Sequence, residues 1–317
     1  MSDFLIIEDF PKNEAEFDQR FCDEHACMDY LFKCKWPEGF ICPKCGCKQY
    51  WKTARRLYMC CRCESQHSLT AGTIMHGTRW PLSAWFKAMW WFTTRKSGVN
   101  AINLMDLLGF GSYSTAWSWL HKLRSCTIRH DREKLSGMIE ADEFYIGGQR
   151  SGKRGRGADH KCAVAAAVER KGRKLGRLRL QVIEDCSGDE LIPFVECNVE
   201  KASMVFTDGW KGYDDIGKLG YDHRQILQSK KNNKESAISG VHLVASLVKR
   251  LILGTFQGRF EKKYLQNYLN EYVFRFNRRN TNSVGKRFFR IMQQAAATGP
   301  KSYKQISLAA VSPLLAN

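Results

Sequence analysis

At 317 residues and 44% hydrophobic content, the chain holds enough apolar material for two or three modest domains, which excludes disorder as the default. Fifty Lys and Arg against 32 Asp and Glu leave a net charge of +18, a surplus that attracts polyanions and makes nucleic acid the leading partner. No apolar run reaches 18 residues, which argues against a membrane span, and thirteen cysteines behind an acidic N-terminus without signal-peptide features point to reduced thiols, metal binding and a cytoplasmic setting.

In chain order, residues 1–35 read as helical, with Phe17, Phe21, Cys27, Met28, Leu31 and Phe32 at roughly helical spacing. Trp36-Pro37-Glu38-Gly39 breaks that pattern. A zinc ribbon is expected over 36–79. Cys42-Pro43-Lys44-Cys45 and Cys60-Cys61-Arg62-Cys63, 14 residues apart, present four thiolates to one tetrahedral ion, and Gly46 permits the tight turn. Cys47 and Cys61 leave the ligand choice open by one residue. Between the knuckles, Lys52, Arg55 and Arg56 alternate with Tyr50, Trp51 and Tyr58, a composition suited to phosphate contact and stacking, although a hairpin must also bury aromatics to exist.

Residues 80–132 read as helical, with Trp80, Trp85, Trp90 and Trp91 on a dense apolar face. A helix over 98–108, a break at Gly109-Phe110-Gly111-Ser112 and a second helix from Tyr113 resemble a helix-turn-helix, and an ordinary helical hairpin reads almost as well. On the second helix Ser118, His121, Lys122 and Arg124 are candidate groove or phosphate contacts.

Met138 to Gly148 reads as a strand closed by two glycines. Glu140, Asp142 and Glu143 crowd three acids into four positions of it. Such a strand is either a wet edge or a site where a divalent cation compensates the charge. Arg150 to Arg179 then carries eleven basic residues against two acidic ones, with Ser151 to Gly157 expected as a loop. Strands are expected over 162–168 and 178–183, and a helix over 187–197 with Ser187 as its N-cap. A buried strand follows, Met204-Val205-Phe206-Thr207, ending in Asp208-Gly209. The helix from Val241 to about Gly254 places His242 and Lys249 two turns apart on one face, with the small Ala245 and Ser246 between them. A long amphipathic helix then carries Phe260, Tyr264, Leu265, Tyr268, Leu269, Tyr272, Val273 and Phe276. The basic stretch 283–317 is expected as a tail, mobile beyond Ala295.

Three strands, a helix, a strand and a later helix, with polar groups on the first strand, the fourth strand and the late helix, describe a mixed-sheet α+β, or α/β, core over 133–282. The ordered motifs Cys42/Cys45/Cys60/Cys63, Glu140 through Gly148, Thr207-Asp208-Gly209-Trp210, Gly240-Val241-His242, Ser246 through Arg250, Leu253-Gly254-Thr255 and Tyr268 through Arg279 resemble the insertion-sequence transposases of the DDE superfamily. The likeness is to the ISXO2-like group with an N-terminal zinc ribbon and spans about residues 20 to 290. It implies a ribonuclease H-like catalytic core behind the zinc ribbon and the helix-turn-helix-like region.

The resemblance further implies that Asp142 and Asp208 are the catalytic aspartates, and that Lys249 is the lysine seven residues after the third catalytic position. That position is Glu in most of the superfamily; here it is His242, as in one branch of the family. Magnesium prefers oxygen ligands whereas imidazole suits softer metals. Three roles therefore stand open for His242: ligand of a second magnesium or manganese ion, base near the nucleophile, or packing. The implied partners are double-stranded DNA (the element's terminal inverted repeats and the target) and further copies of the chain, as a homodimer or higher oligomer on DNA. A transposase-derived regulator without catalysis and a nuclease of the same fold are the competing readings.

Overall fold

The computed structural model describes residues 9–129, 131–147, 161–226, 238–258 and 260–308. The expected basic loop Ser151 to Gly157 lies outside them. The chain divides into two compact units, one made of residues up to Thr127 together with Asn280–Leu308, the other of Ile128–Arg279. No helix among the described residues is long and apolar enough to cross a membrane.

The first unit opens with α1 (Glu14–Arg20) and α2 (Glu24–Lys35), whose N-caps Asn13 and Asp23 accept from the backbone N–H of Glu16 and Ala26. A three-stranded antiparallel ribbon follows, β1 (Tyr50–Lys52), β2 (Tyr58–Cys60) and β3 (Gln66–His67). It is too small to bury a core of its own. Tyr50 and Tyr58 instead cluster with Phe32, Trp36 and Phe40, ring centroids 5.0 to 5.8 Å apart along the chain of contacts. The hairpin aromatics are thus divided: Tyr58 is core, while Trp51, Lys52, Arg55 and Arg56 face solvent.

Helices α3 (Leu82–Thr94), α4 (Ala101–Leu108) and α5 (Tyr113–Ser125) complete this part of the unit. The α4–α5 turn is made by Gly109 in the left-handed region at φ 67°, where a side chain would be strained. The expected contact residues of α5 do not form a free face. Ser118, His121 and Arg124 are buried, and Lys122 lies along the Trp85 ring, so this face is not free for a groove. Helix α5 is covered by α3, whose Trp85 meets Lys122, and by the C-terminus, which reaches its Trp117 side. Residues 283–308 are not a tail: α9 (Val284–Ala297) drives Phe288, Ile291 and Met292 into the core against Phe17, Phe86 and Trp90, and α10 (Tyr303–Leu308) packs on α5, with Tyr303 against Trp117.

The second unit is a five-stranded mixed sheet in the order β6-β5-β4-β7-β8, formed by β4 (Met138–Ile146), β5 (Cys162–Lys171), β6 (Lys174–Ile183), β7 (Met204–Thr207) and β8 (Asp222–Gln225). The first three strands are antiparallel neighbours, and β7 and β8 run parallel to β4. This is the ribonuclease H-like arrangement, with β4 at its centre rather than at an edge. Helix α6 (Gly188–Asn198) and the 3-10 helix Lys211–Leu219 cover one face, burying Ile139, Ala141, Ala163, Ala165 and Ala167 against Leu191, Phe194 and Tyr213. Ser187 is the N-cap residue of α6, though its side chain makes no cap bond. Helices α7 (Ser239–Thr255) and α8 (Lys262–Asn277) lie on β4–β5 and on β6. Along α8 two amides finish the open side of β6: Gln266 accepts from Val182 N–H at 2.8 Å and Asn277 from Leu178 N–H at 2.7 Å. An otherwise unpaired strand edge is thereby closed.

Candidate active site

Alternation along β4 decides which acids reach the site. Ile139 and Ala141 point to the α6 layer, so Glu140, Asp142 and Phe144 point to α7. Glu140 is fully buried without being stranded. Its Oε2 accepts from the backbone N–H of Gly240 at 2.7 Å and of Val241 at 3.0 Å, and its Oε1 lies 3.8 Å from the Arg170 guanidinium. Helix α7 has no side-chain cap of its own; a carboxylate from the central strand serves instead, favourably placed at the positive end of the helix dipole. Gly240 makes this approach possible, since a Cβ there would stand 2.8 Å from Glu140 Oε2 and 2.5 Å from Leu175 Cδ2.

With the first turn of α7 pinned to β4, His242 meets Asp142: Nε2 and Oδ2 are 3.1 Å apart. Asp142 is mostly buried and His242 half exposed. Burial, then the neighbouring charges of Glu143 and Asp208, push the Asp142 carboxyl up to about 6, against the lowering effects of the Glu143 N–H (2.9 Å to Oδ1) and of His242. Asp208 lies two residues beyond the paired Glu140 and Phe206 of β4 and β7, which brings its charge within reach of Asp142. Its Oδ1 accepts from Trp210 N–H at 3.0 Å.

Lys249 shares the cleft with Asp142 and His242, its Nζ 5.7 Å from the centroid of the Phe144 ring, and Ala245 and Ser246 line the space between as expected for small residues. Asp142, His242 and Lys249 therefore come together in one cleft of about 750 Å³, while Asp208 is coupled to it by charge without lining it. Behind β4, Tyr213 is fully buried, and burial followed by the charges of Glu143, Asp142 and Asp208 raises its pKa far above the ordinary value. Trp210 Nε1 donates to Cys186 O at 2.7 Å on the same side. Sequence reasoning does not single out Glu140, Gly240, Trp210 or Tyr213 as site residues; the first three stand in the motifs that carry the family likeness, whereas Tyr213 lies just beyond them.

In the first unit the Sγ atoms of Cys42, Cys45, Cys60 and Cys63 all lie within 4.8 Å of one another, and no other group of three or more such ligands among the described residues is as close. The pairs Cys42–Cys63 and Cys45–Cys60 are 3.6 and 3.5 Å apart. A tetrahedral zinc with bonds of ~2.3 Å holds its sulfurs about 3.8 Å apart, so the donor set fits a structural zinc with no open position. Cys61 is exposed, and Cys47 turns to the Gln49 carbonyl, which settles the choice of knuckle residues. Ser65 and His67 form a second layer: Ser65 Oγ lies 3.3 Å from Cys42 Sγ and 3.0 Å from Cys63 Sγ, and His67 Nε2 is 2.8 Å from that hydroxyl. The Ser65 contact is the main cause that lowers the Cys42 thiol to about 5, whereas at Cys45, against the lowering bond from the Cys47 backbone, burial and the Cys63, Cys60 and Cys42 thiols raise it to about 12; a bound zinc would hold all four as thiolates.

Two family models match the chain: the ISXO2-like transposase domain over residues 134–277 and the transposase zinc-ribbon domain over residues 22–66. No curated protein matches it. The first model spans the ribonuclease H-like unit from before β4 to the end of α8, and the second spans α2 and the four-cysteine ribbon. The chain belongs to the ISXO2-like transposases of the DDE superfamily that carry an N-terminal zinc ribbon.

Proposed function

We propose that this chain is an active DNA transposase, which binds the ends of its insertion sequence and carries out metal-dependent strand cleavage and strand transfer. The observation that carries the reading is the 3.1 Å approach of His242 Nε2 to Asp142 Oδ2 inside an open cleft, where burial and then the charges of Glu143 and Asp208 raise the Asp142 carboxyl to about 6. Acids gathered at this proximity repel one another, and a bound cation relieves that repulsion. Asp142, Asp208 and His242 are the residues that would hold magnesium or manganese. Divalent ions bound there would polarise the phosphodiester and stabilise the leaving 3′ oxygen.

Lys249, about 10 Å along α7 from His242, holds a DNA phosphate as a point charge. Water is the first nucleophile: its oxygen bonds to phosphorus, the bond to the 3′ oxygen breaks, and a free 3′ hydroxyl remains at the element end. That hydroxyl then attacks a target phosphodiester in the same cleft: its oxygen bonds to the target phosphorus, the bond to the target's own 3′ oxygen breaks, and the target strand leaves with a free 3′ hydroxyl that takes the proton. Glu140 acts by positioning, because it fixes the turn of α7 that carries His242.

The zinc ribbon and residues 80–132 bind the element ends. With the Ser118 face of α5 buried, the exposed Ser112, Tyr113 and Ser114 at its N-terminus and the exposed Trp51, Lys52, Arg55 and Arg56 of the ribbon are the available contacts. The basic stretch from Arg150 to Arg179, whose described part exposes Lys171, Arg173 and Lys174, holds DNA less selectively, and the working assembly contains two or more copies.

The test uses the full chain, a duplex carrying the inverted repeats that flank this reading frame, and a target plasmid, in magnesium or manganese. The expected result is a metal-dependent nick leaving a 3′ hydroxyl at the repeat tip, followed by joining to the plasmid. Nicking without joining would make the chain a nuclease, and binding alone a regulator.

A further inference from the structure

We propose that the β4–α7 cleft continues past the reactive residues as a track for unpaired DNA, so that the strand flanking the scissile phosphate enters singly, with a base turned into an apolar end of the cleft. This rests on the transposase reading and adds the form in which the substrate is held.

The cleft, about 750 Å³, falls in the ~300–1,000 Å³ range of sites that enclose an organic ligand and exceeds what one phosphodiester requires. It follows α7 from His242 to Leu253, about 16 Å at the helical rise. Its chemistry is graded along that length. Asp142, Glu143 and His242 stand at one end, Lys249 lies two turns along α7 and Ile252 and Leu253 follow it, while Lys161, beside the end of β4, adds a second positive charge and Phe260 a further apolar side chain. That order suits one strand leaving the reactive end: phosphates on the lysines, a base on the apolar wall.

Lys249 Nζ lies 5.7 Å from the Phe144 ring centroid, a cation beside an aromatic face. The same combination holds single strands elsewhere, because every base offers a π-face whatever its sequence. Leu253 is 65% exposed, an apolar side chain left in water at the mouth of the cleft. A paired and stacked base cannot present its face to such a wall; an unpaired one can.

The test is photocrosslinking of the full, zinc-loaded chain to a short single-stranded oligothymidylate carrying one 5-iodouracil, and to the same strand in a duplex. Crosslinks from the single strand should map to Phe144 or Phe260 and be lost from the duplex. Phe260→Ala should weaken single-strand binding roughly 5- to 150-fold, the range expected for one lost stacking contact, with duplex binding unchanged. Should that variant fold poorly, Leu253→Glu, at an exposed position, should weaken single-strand binding in the same way. Crosslinks confined to other parts of the chain, or single-strand affinity unchanged in both variants, would overturn the proposal. Failure of the parent reading looks different: no cleavage of any DNA while the Phe260 crosslink persists leaves the track standing and removes the transposition chemistry.

Discussion

In the zinc ribbon four thiols converge within 4.8 Å, whereas in the second unit Asp142 and His242 touch while Asp208 stands apart with its carboxylate on the Trp210 N–H. The ribbon ligands come from two knuckles separated by 14 residues, and a hairpin register of three strands suffices to bring them together. The cleft needs β4, the end of β7 and the first turn of α7, elements up to 100 residues apart, held by the bonds from Glu140 to Gly240 and Val241. One site is closed on itself and fits a structural ion. The other keeps an open flank and a carboxyl under electrostatic pressure, which is what a site that must admit substrate requires.

The largest effect is expected at the ribbon. Cys60→Ser removes one of four ligands, and structural zinc contributes on the order of 10 kcal/mol of coupled binding and folding. We expect loss of bound zinc and of hydrogen-exchange protection in residues 42–67, with protection of β4, β5 and β6 retained. Full zinc occupancy in that variant would show that the ligand set is wrong.

Phe288→Ala comes next, at about 3–5 kcal/mol, because it empties the centre of the aromatic core shared by α1, α2, α3 and α9. Urea unfolding followed by the tryptophans of α3 would measure it. A change below about 1 kcal/mol would mean that α9 does not belong to the first unit.

Glu140→Ala leaves two buried N–H groups at the start of α7 without their acceptor, a loss of about 2–3 kcal/mol. Glu140→Gln keeps an acceptor and should recover part of it. Equal stability of Glu140→Ala and the parent chain would remove the strand-to-helix tether.

The smallest effect has the opposite sign. Asp142 has its pKa raised from 3.8 to about 6, so between those values the folded chain keeps a proton that the unfolded chain has released. Stability therefore falls as pH rises from about 4 to about 6, and the deficit persists at neutral pH. Asp142→Asn, measured without added divalent metal, should be more stable at pH 7 by on the order of 1–3 kcal/mol, with the gain vanishing below about pH 4. A loss of stability at pH 7 would contradict the electrostatic account.

What could be read from the sequence follows the same division. Local spacing carried the cysteine knuckles, and local pattern carried β4, the strand into Asp208 and the shared face of His242 and Lys249. Three features lay beyond it. The role of Glu140 depends on the register of β4 beneath a helix that starts 100 residues later. The covering of α5 depends in part on an element brought in from the far end of the chain, where α10 packs on it with Tyr303 against Trp117. The same return turns residues 284–308 from an expected tail into part of the first unit, so a fragment ending near residue 135 would lack the α9 side of its own core. Helical periodicity identifies an apolar stripe; it does not report that a second stripe is covered by a distant element.

Whether the Asp142–His242 pair holds a catalytic metal, as we propose, is tested by strand cleavage with His242→Ala and His242→Glu in magnesium and in manganese. Loss of cleavage by several orders of magnitude in His242→Ala, with activity kept in His242→Glu and its preference moved toward magnesium, is the predicted result. A His242→Ala chain that cleaves at the parent rate with unchanged metal dependence would contradict it.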